Sequence, residues 1–243
     1  MNWITKIIKA GEKIKSAIHK RATKEDIANS DWTSCCKGPV LKKDLENNLW
    51  VCPDCNKHHY VSPTNRFNLM FGENNWKKIE SPHPPPDPYK WEDTKKYVDR
   101  LKQAKKITGQ DNAILSCEAK INNIDVVVSA VDFKFIGGSI SMAEGENVLS
   151  AVQTAINKKC AYIFISASGG MRMMTNILSL MQMSRMTVAI NTLREHNLPY
   201  IVVATSPTTG GLTASIASLS DICIGETGAT WAFAGRRIQE PRD

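Results

Sequence analysis

The chain has 243 residues, 42% hydrophobic and 23% charged, which is ordinary for a soluble globular protein with one sizeable core and a small appendage, and no run of 18 or more apolar residues allows a transmembrane helix. The formal charge of +7 is uneven, with 21 Lys and Arg against 13 Asp and Glu in residues 1–110 (+8) and 10 against 11 in residues 111–243 (−1). Such an excess suits a phosphate-bearing partner, either nucleic acid or a nucleotide-tailed substrate, and equally a merely solvated basic surface.

The first 30 residues form a basic segment in which Ile4, Ile7, Ile8, Ile14 and Ile18 fall roughly at helical spacing. A transit peptide or a membrane-surface helix would share that pattern, but a solvated or partner-docking helix fits better. Four of the seven cysteines follow within residues 35–55, namely Cys35, Cys36, Cys52 and Cys55. An odd total with one local cluster reads as metal binding in a reducing, cytoplasmic compartment rather than as a disulfide framework, and the single Cys117, Cys160 and Cys223 read as core residues. Trp32, Trp50 and Tyr60 near the cluster read as its small core.

Five of the eleven prolines lie within residues 82–88, a stiff extended stretch that marks a boundary. The expected division is a basic segment at 1–30, a cysteine module at 31–62, a linker and helical connection at 63–110, and an α/β body at 111–243. The linker includes the polar helical stretch "WEDTKKYVDRLKQAKKITG". In the body, "AILSCEAK" and "IDVVVSAV" read as strands, followed by a helix near Met142 to Asn157. Then come strand "AYIFIS", a Met- and Leu-rich helix from about Arg172 to His196, strand "YIVVAT", the turn "SPTTGG", a helix of small residues, strand "DICIG" and a last strand-like "ATWAFAG".

Three strand-to-helix turns contain glycine pairs, Gly137-Gly138, Gly169-Gly170 and Gly210-Gly211, spaced 32 and 41 residues apart. This loose repeat suggests successive turns of an α/β superhelix. A helix beginning after a glycine pair presents bare N–H groups that can hold a developing oxyanion, and tight turns or close packing explain the same glycines. None of the pairs has dinucleotide or P-loop spacing. The five histidines lie outside these corners, and Ser168 is in no G-x-S-x-G elbow, so a Ser-His-Asp hydrolase is not indicated. Oxyanion donors without an acid, base or nucleophile suit enolate chemistry on a thioester, with the base supplied from elsewhere.

The segments "GGSISMAEGE", "ISASGGMRMMTNILSLMQMSR", "LPYIVVATSPTTGGLTASIASLSDICIGE" and "FAG", together with "MNWI", "CPDC" and "DTKKYVDRL", closely resemble the carboxyltransferase β subunit family of bacterial-type, multi-subunit acetyl-coenzyme A carboxylases. The resemblance spans nearly the whole chain. It implies a crotonase-like (ClpP/crotonase) superhelix of strand-turn-helix repeats preceded by a zinc ribbon. It also implies pairing with a carboxyltransferase α subunit as α2β2, alongside biotin carboxylase and a biotin carboxyl carrier protein. The implied reaction moves a carboxyl group from carboxybiotin to acetyl-CoA, giving malonyl-CoA for fatty acid biosynthesis. Carboxybiotin would release CO2, and the resulting biotin enolate would take a methyl proton from acetyl-CoA.

Carried over by motif, the N–H groups of Gly210 and Gly211 become the oxyanion-hole donors. Gly137, Gly138, Ser168, Gly169, Gly170, Thr208 and Thr209 become substrate-cleft residues, and Cys35, Cys36, Cys52 and Cys55 hold one Zn2+. Activity is expected only with the α subunit. A carboxyltransferase or decarboxylase acting on another acyl-CoA, and a nucleic-acid role for the basic ribbon, remain alternatives.

The sequence departs from the family pattern in three places. Adjacent Cys35 and Cys36 replace the spaced first pair and strain a shared tetrahedral site, so the alternative to all four cysteines is that one of these two is a spectator and water, His58 or His59 is the fourth ligand. Met171 stands where a small residue is usual and is expected to crowd the cleft. The sequence stops several tens of residues before the family's usual C-terminus, which is read as a fragment or a truncated homologue.

Overall fold

The computed structural model describes residues 31–35 and 38–234. The basic segment 1–30 and Cys36 lie outside the described residues. Among the described residues no helix is long and apolar enough to cross a membrane. The chain divides between His59 and Tyr60 into two compact units.

In the first unit, strands β1 (Trp32–Cys35) and β2 (Gly38–Leu41) pair antiparallel and lead into a short helix, α1 (Lys42–Asn47). Its core is small: Val40, Leu45 and Cys52, with Trp50, Cys35 and Cys55 packed against them. Trp50 therefore fills the core place expected of it. Trp32 does not, being 49% exposed, because the strand alternation turns it outward. Tyr60 belongs to the second unit, where its hydroxyl donates to Asp132 Oδ1 at 2.8 Å.

The second unit runs α2 (Pro63–Phe71), β3 (Trp76–Lys78), α3 (Tyr97–Thr108), β4 (Ile114–Ile121), β5 (Ile124–Val131), α4 (Met142–Lys158), β6 (Ala161–Ser168), α5 (Asn176–Glu195), β7 (Tyr200–Thr209), α6 (Gly211–Ala214), β8 (Ile222–Gly225) and β9 (Trp231–Ala232). Short 3-10 turns at Ile136–Gly138, Met173–Thr175 and Ala217–Leu219 soften the corners. One sheet orders the strands β3-β4-β5-β6-β7-β8, with β9 also on β7; β3 to β5 pair antiparallel and β5 to β8 parallel.

Both faces of the central strands are covered, which is why their sequences read as unbroken apolar runs. Val127, Val131, Tyr162, Phe164, Tyr200 and Val202 face α3, α4 and α5 through Leu101, Val148, Val152, Met186 and Ile190. Their alternates Val126, Val128, Ala130, Ile163 and Ile165 face Phe67 of α2. Each large side chain so buried contributes roughly 1.5–3 kcal/mol.

Three sequence expectations need correction. The "SPTT" segment is strand rather than turn, because β7 continues to Thr209 by pairing with β9, and the Ser206–Pro207 peptide within it is cis. The helix of small residues shrinks to the four-residue α6, followed by a 3-10 turn, since side chains this small give a longer helix little to bury. Cys223 is exposed on β8 rather than in the core, whereas Cys117 and Cys160 are buried and burial pushes the Cys117 thiol up to about 12.

A buried ion pair fastens the first two corners together. Glu144, in the first turn of α4, is fully buried and spends its carboxylate three ways. Oε2 accepts from Ser141 N–H at 2.9 Å, which is the carboxyl half of a capping box, while Oε1 accepts from Ala113 N–H at 2.9 Å and from Arg172 Nη2 at 2.5 Å. Arg172 also donates to Ser139 O at 2.5 Å, Ser139 Oγ at 3.1 Å and the Tyr97 hydroxyl at 3.0 Å. Burial works against its charge, but the Glu144 carboxylate and the Tyr97 oxygen raise the guanidinium above its ordinary value.

The glycine corners themselves interlock by backbone. Gly169 N–H donates to Gly137 O at 2.9 Å, Ile140 N–H to Gly170 O at 2.9 Å, and Arg172 N–H to Ile140 O at 2.8 Å. A Cβ on Gly138, whose φ is +62°, would lie 2.1 Å from Ala167 O, and one on Gly210 would lie 3.0 Å from Gly169 O. Close packing of main chain on main chain is thus one reason for the glycines.

Two predictions follow from this packing. Gly138→Ala should cost about 3 kcal/mol or more, combining overpacking with left-handed strain, whereas Gly137→Ala, which meets no atom within 4 Å, should cost only about 1–2 kcal/mol. Equal losses in chemical denaturation would contradict the interlock. Arg172→Met alone should destabilise by about 3–5 kcal/mol by leaving a buried carboxylate unpaired, and adding Glu144→Gln should recover part of it. Additive losses in that cycle would contradict the coupling.

Candidate functional site

The parallel strands β5, β6 and β7 all run into their glycine corners at the same end of the sheet, so topology gathers three sequence-distant turns. The second and third are in direct contact. A Cβ on Gly170 would sit 3.2 Å from Gly211 N and 3.3 Å from Gly210 Cα. Gly137, Gly138, Ser168, Gly169, Gly170, Thr208, Thr209, Gly210 and Gly211 are therefore brought together around the corner strands.

Their hydrogen bonds show which N–H groups are already spent. Gly138 donates to Phe135 O, Gly169 to Gly137 O, and Gly170 to Ser168 Oγ at 3.0 Å. Gly210 N–H donates to Phe233 O at 2.8 Å, as part of the junction between β7 and the segment after β9. This corrects the expectation that it is a free donor: the extension of β7 commits it. Gly211, opening α6, keeps the unpaired N–H of a helix start, and among the described residues the N–H of Met171 has no acceptor.

Side-chain hydroxyls hold these corners rigid. Thr208 Oγ1 donates to Thr205 O at 2.8 Å and pairs with Ser166 Oγ at 2.8 Å, while Thr209 Oγ1 donates to Ser168 O at 3.2 Å. The Ser168, Thr208 and Thr209 side chains are buried. They support the backbone donors rather than line an opening.

Two methionines flank Gly211. A Cβ there would meet Met171 Cγ at 2.6 Å and Met183 Sδ at 3.2 Å. Met171 thus crowds the corner as its size suggests. Met183, from α5, escaped sequence reading because one methionine among several on that helix carries no positional signal. Glu144 and Arg172 were also missed, although Ser141 followed three residues later by Glu144 is a legible capping box.

In the first unit the thiols of Cys35, Cys52 and Cys55 lie within 4.8 Å of one another, with Cys35 Sγ 3.2 Å from Cys55 Sγ. Neither His58 nor His59 brings a ring nitrogen within that distance of all three. Three converging thiols fit three corners of a tetrahedral zinc site, whose metal-sulfur bonds are about 2.3 Å.

A family profile described as the carboxyl transferase domain matches residues 96–239. The chain is 55% identical, over 98% of its length and 77% of the relative's, to the acetyl-coenzyme A carboxylase carboxyl transferase subunit beta of Pelagibacter ubique. It is 42% identical over 99% of its length, and 81% of the relative's, to the protein of the same name from Beijerinckia indica. Among solved structures, a Pseudomonas malonate decarboxylase hetero-dimer superposes with a TM-score of 0.56 at 15% identity, covering 73% of this chain and 67% of the other. Transcarboxylase 12S gives the same TM-score at 21% identity, covering 73% of this chain and 32% of the other. These structures share the crotonase-like carboxyltransferase fold with this chain, and its sequence places it in the acetyl-coenzyme A carboxylase carboxyl transferase subunit beta family.

Proposed function

We propose that the chain carries the acyl-CoA half of carboxyl transfer from carboxybiotin to acetyl-CoA, with the thioester oxygen held by the backbone N–H groups of Met171 and Gly211. The observation that carries this reading is the contact between the second and third corners, which sets these two uncommitted donors beside the spent N–H groups of Gly170, Arg172 and Gly210. When the methyl group loses its proton, negative charge moves to the thioester oxygen. Two preorganised donors stabilise it, each worth on the order of 3 kcal/mol. The methyl carbon then bonds to CO2, giving malonyl-CoA.

None of the corner side chains can take the proton, since they are Gly, Ser, Thr, Met and Ile. Biotin on its carrier protein supplies the carboxyl group and the base when bound. The family is one of subunits, and an α subunit in an α2β2 assembly would complete the biotin side. The interlock of Gly137, Gly138, Gly169 and Gly170 holds the donors in place, and Gly210 anchors the third corner through Phe233.

The direct test is malonyl-CoA formation by the chain assembled with a carboxyltransferase α subunit, given acetyl-CoA and carboxylated biotin carrier. Gly211→Ala should keep the fold but drive Met171 toward the donors, lowering kcat by on the order of a hundredfold. Adding Met171→Ala should restore most of it, as neighbours that share one space are coupled. Unchanged activity in Gly211→Ala would contradict the assignment.

The three thiols of the first unit would supply three ligands to one zinc ion, Cys36 being the sequence neighbour available as a fourth. Metal analysis should find one zinc per chain, and Cys52→Ser should lower zinc affinity at least about tenfold, since losing even a group that only hydrogen-bonds to a metal ligand costs that much. Unaltered zinc affinity in that variant, measured by competition with a chelator, would contradict it.

A further inference from the structure

The two uncommitted donors belong to residues that one side chain connects. Met171 supplies the first N–H, and its side chain reaches across to the residue that supplies the second: a Cβ on Gly211 would meet Met171 Cγ at 2.6 Å and Sδ at 3.1 Å. Met183 of α5 approaches the same point, with its Sδ at 3.2 Å. Two thioethers therefore stand against Gly211 Cα, beside the donors.

Little else in the corners could bound an acyl group. Gly169, Gly170 and Gly210 carry no side chain, and the hydroxyls of Thr208 and Thr209 are turned to Thr205 O and Ser168 O. The carbon that follows a thioester carbonyl is one bond from the carbonyl carbon, so fixing the oxygen on the two N–H groups brings that carbon within reach of the methionines. Both side chains are half-buried, and a longer acyl chain must displace them.

Neither methionine can retreat by moving its backbone. Ile140 brackets Met171, donating its N–H to Gly170 O at 2.9 Å and accepting from Arg172 N–H at 2.8 Å. The Arg172 guanidinium is held in turn by Glu144, Ser139 and Tyr97. The turn of α5 that carries Met183 is clamped as well. Ser179 Oγ donates to Arg172 O at 2.7 Å, and Gln182 packs so closely on α4 that a Cβ on Gly145 would lie 2.2 Å from its Oε1. Only side-chain torsions are left to yield. Methionine is unbranched and adaptable, so the wall is soft and its discrimination graded.

We propose, resting on the acyl-CoA reading above, that Met171 and Met183 together set the acyl size limit of the site: an acetyl group fits against their thioethers, and each further carbon must push them aside. One methylene against an apolar wall is discriminated by about 10–200-fold.

The test compares acetyl-CoA with propionyl-CoA, using the full chain assembled with an α subunit and given carboxylated biotin carrier. The wild type should prefer acetyl-CoA in kcat/KM by at least about tenfold. Met171→Ala and, separately, Met183→Ala should each reduce that preference by about tenfold, whereas Met171→Leu, which conserves volume, should retain it. The two residues lie on different elements, and thermal melting near that of the wild type would show each variant folded. A wild type that uses both thioesters equally would overturn the proposal. So would alanine variants in which both activities fall together with the preference intact, the mark of a merely structural role. Titration calorimetry of the two thioesters separates this proposal from the functional reading. Absence of carboxyl transfer in the wild-type assembly would sink that reading, while equal affinities for acetyl-CoA and propionyl-CoA in the wild type would overturn the size limit on its own.

Discussion

One carboxylate ties the body of the protein together. Glu144 is fully buried, and in a low-dielectric interior it is tolerable only because two backbone N–H groups and the Arg172 guanidinium surround it. Those partners come from the start of β4, the start of α4 and the chain just after the second glycine pair. Arg172 extends the tie to Tyr97 of α3. Four stretches remote in sequence are thus held by one charge pair, and the exit of the second corner is held with them.

That fixation gives the backbone donors their value. An N–H group in a mobile loop would reorient when charge develops, whereas donors in interlocked corners are aligned beforehand. The corner glycines have a double role: they let main chain approach main chain, and where Gly211 opens α6 they leave an N–H bare. On the proposed reading stability and chemistry draw on the same residues, so Gly138→Ala is expected to act through folding and changes at Gly211 through the neighbouring Met171.

Much of this was legible in the sequence, and the exceptions have physical causes. The strands from Ile114 to Ile165 were readable because they are buried on both faces and rich in β-branched residues. The glycine pairs marked the corners. What they could not reveal was which N–H stays free, because that depends on pairing between β7 and the segment ending at Phe233, a tertiary choice that commits Gly210. Likewise "SPTT" carries turn-like residues yet is drawn into strand by β9, a tertiary override of local preference. Exposed Cys223 sits in an apolar stretch whose strand is at the sheet edge, and edge position is not written in composition.

The central claim is that backbone donors at Met171 and Gly211 polarise the thioester of bound acetyl-CoA. Isotope-edited infrared difference spectroscopy of carbonyl-labelled acetyl-CoA, bound to the chain assembled with its α subunit, measures that polarisation directly. The account predicts a carbonyl stretch shifted to lower frequency than in water, with the shift diminished in Gly211→Ala. A bound carbonyl at its solution frequency in the wild type would contradict it.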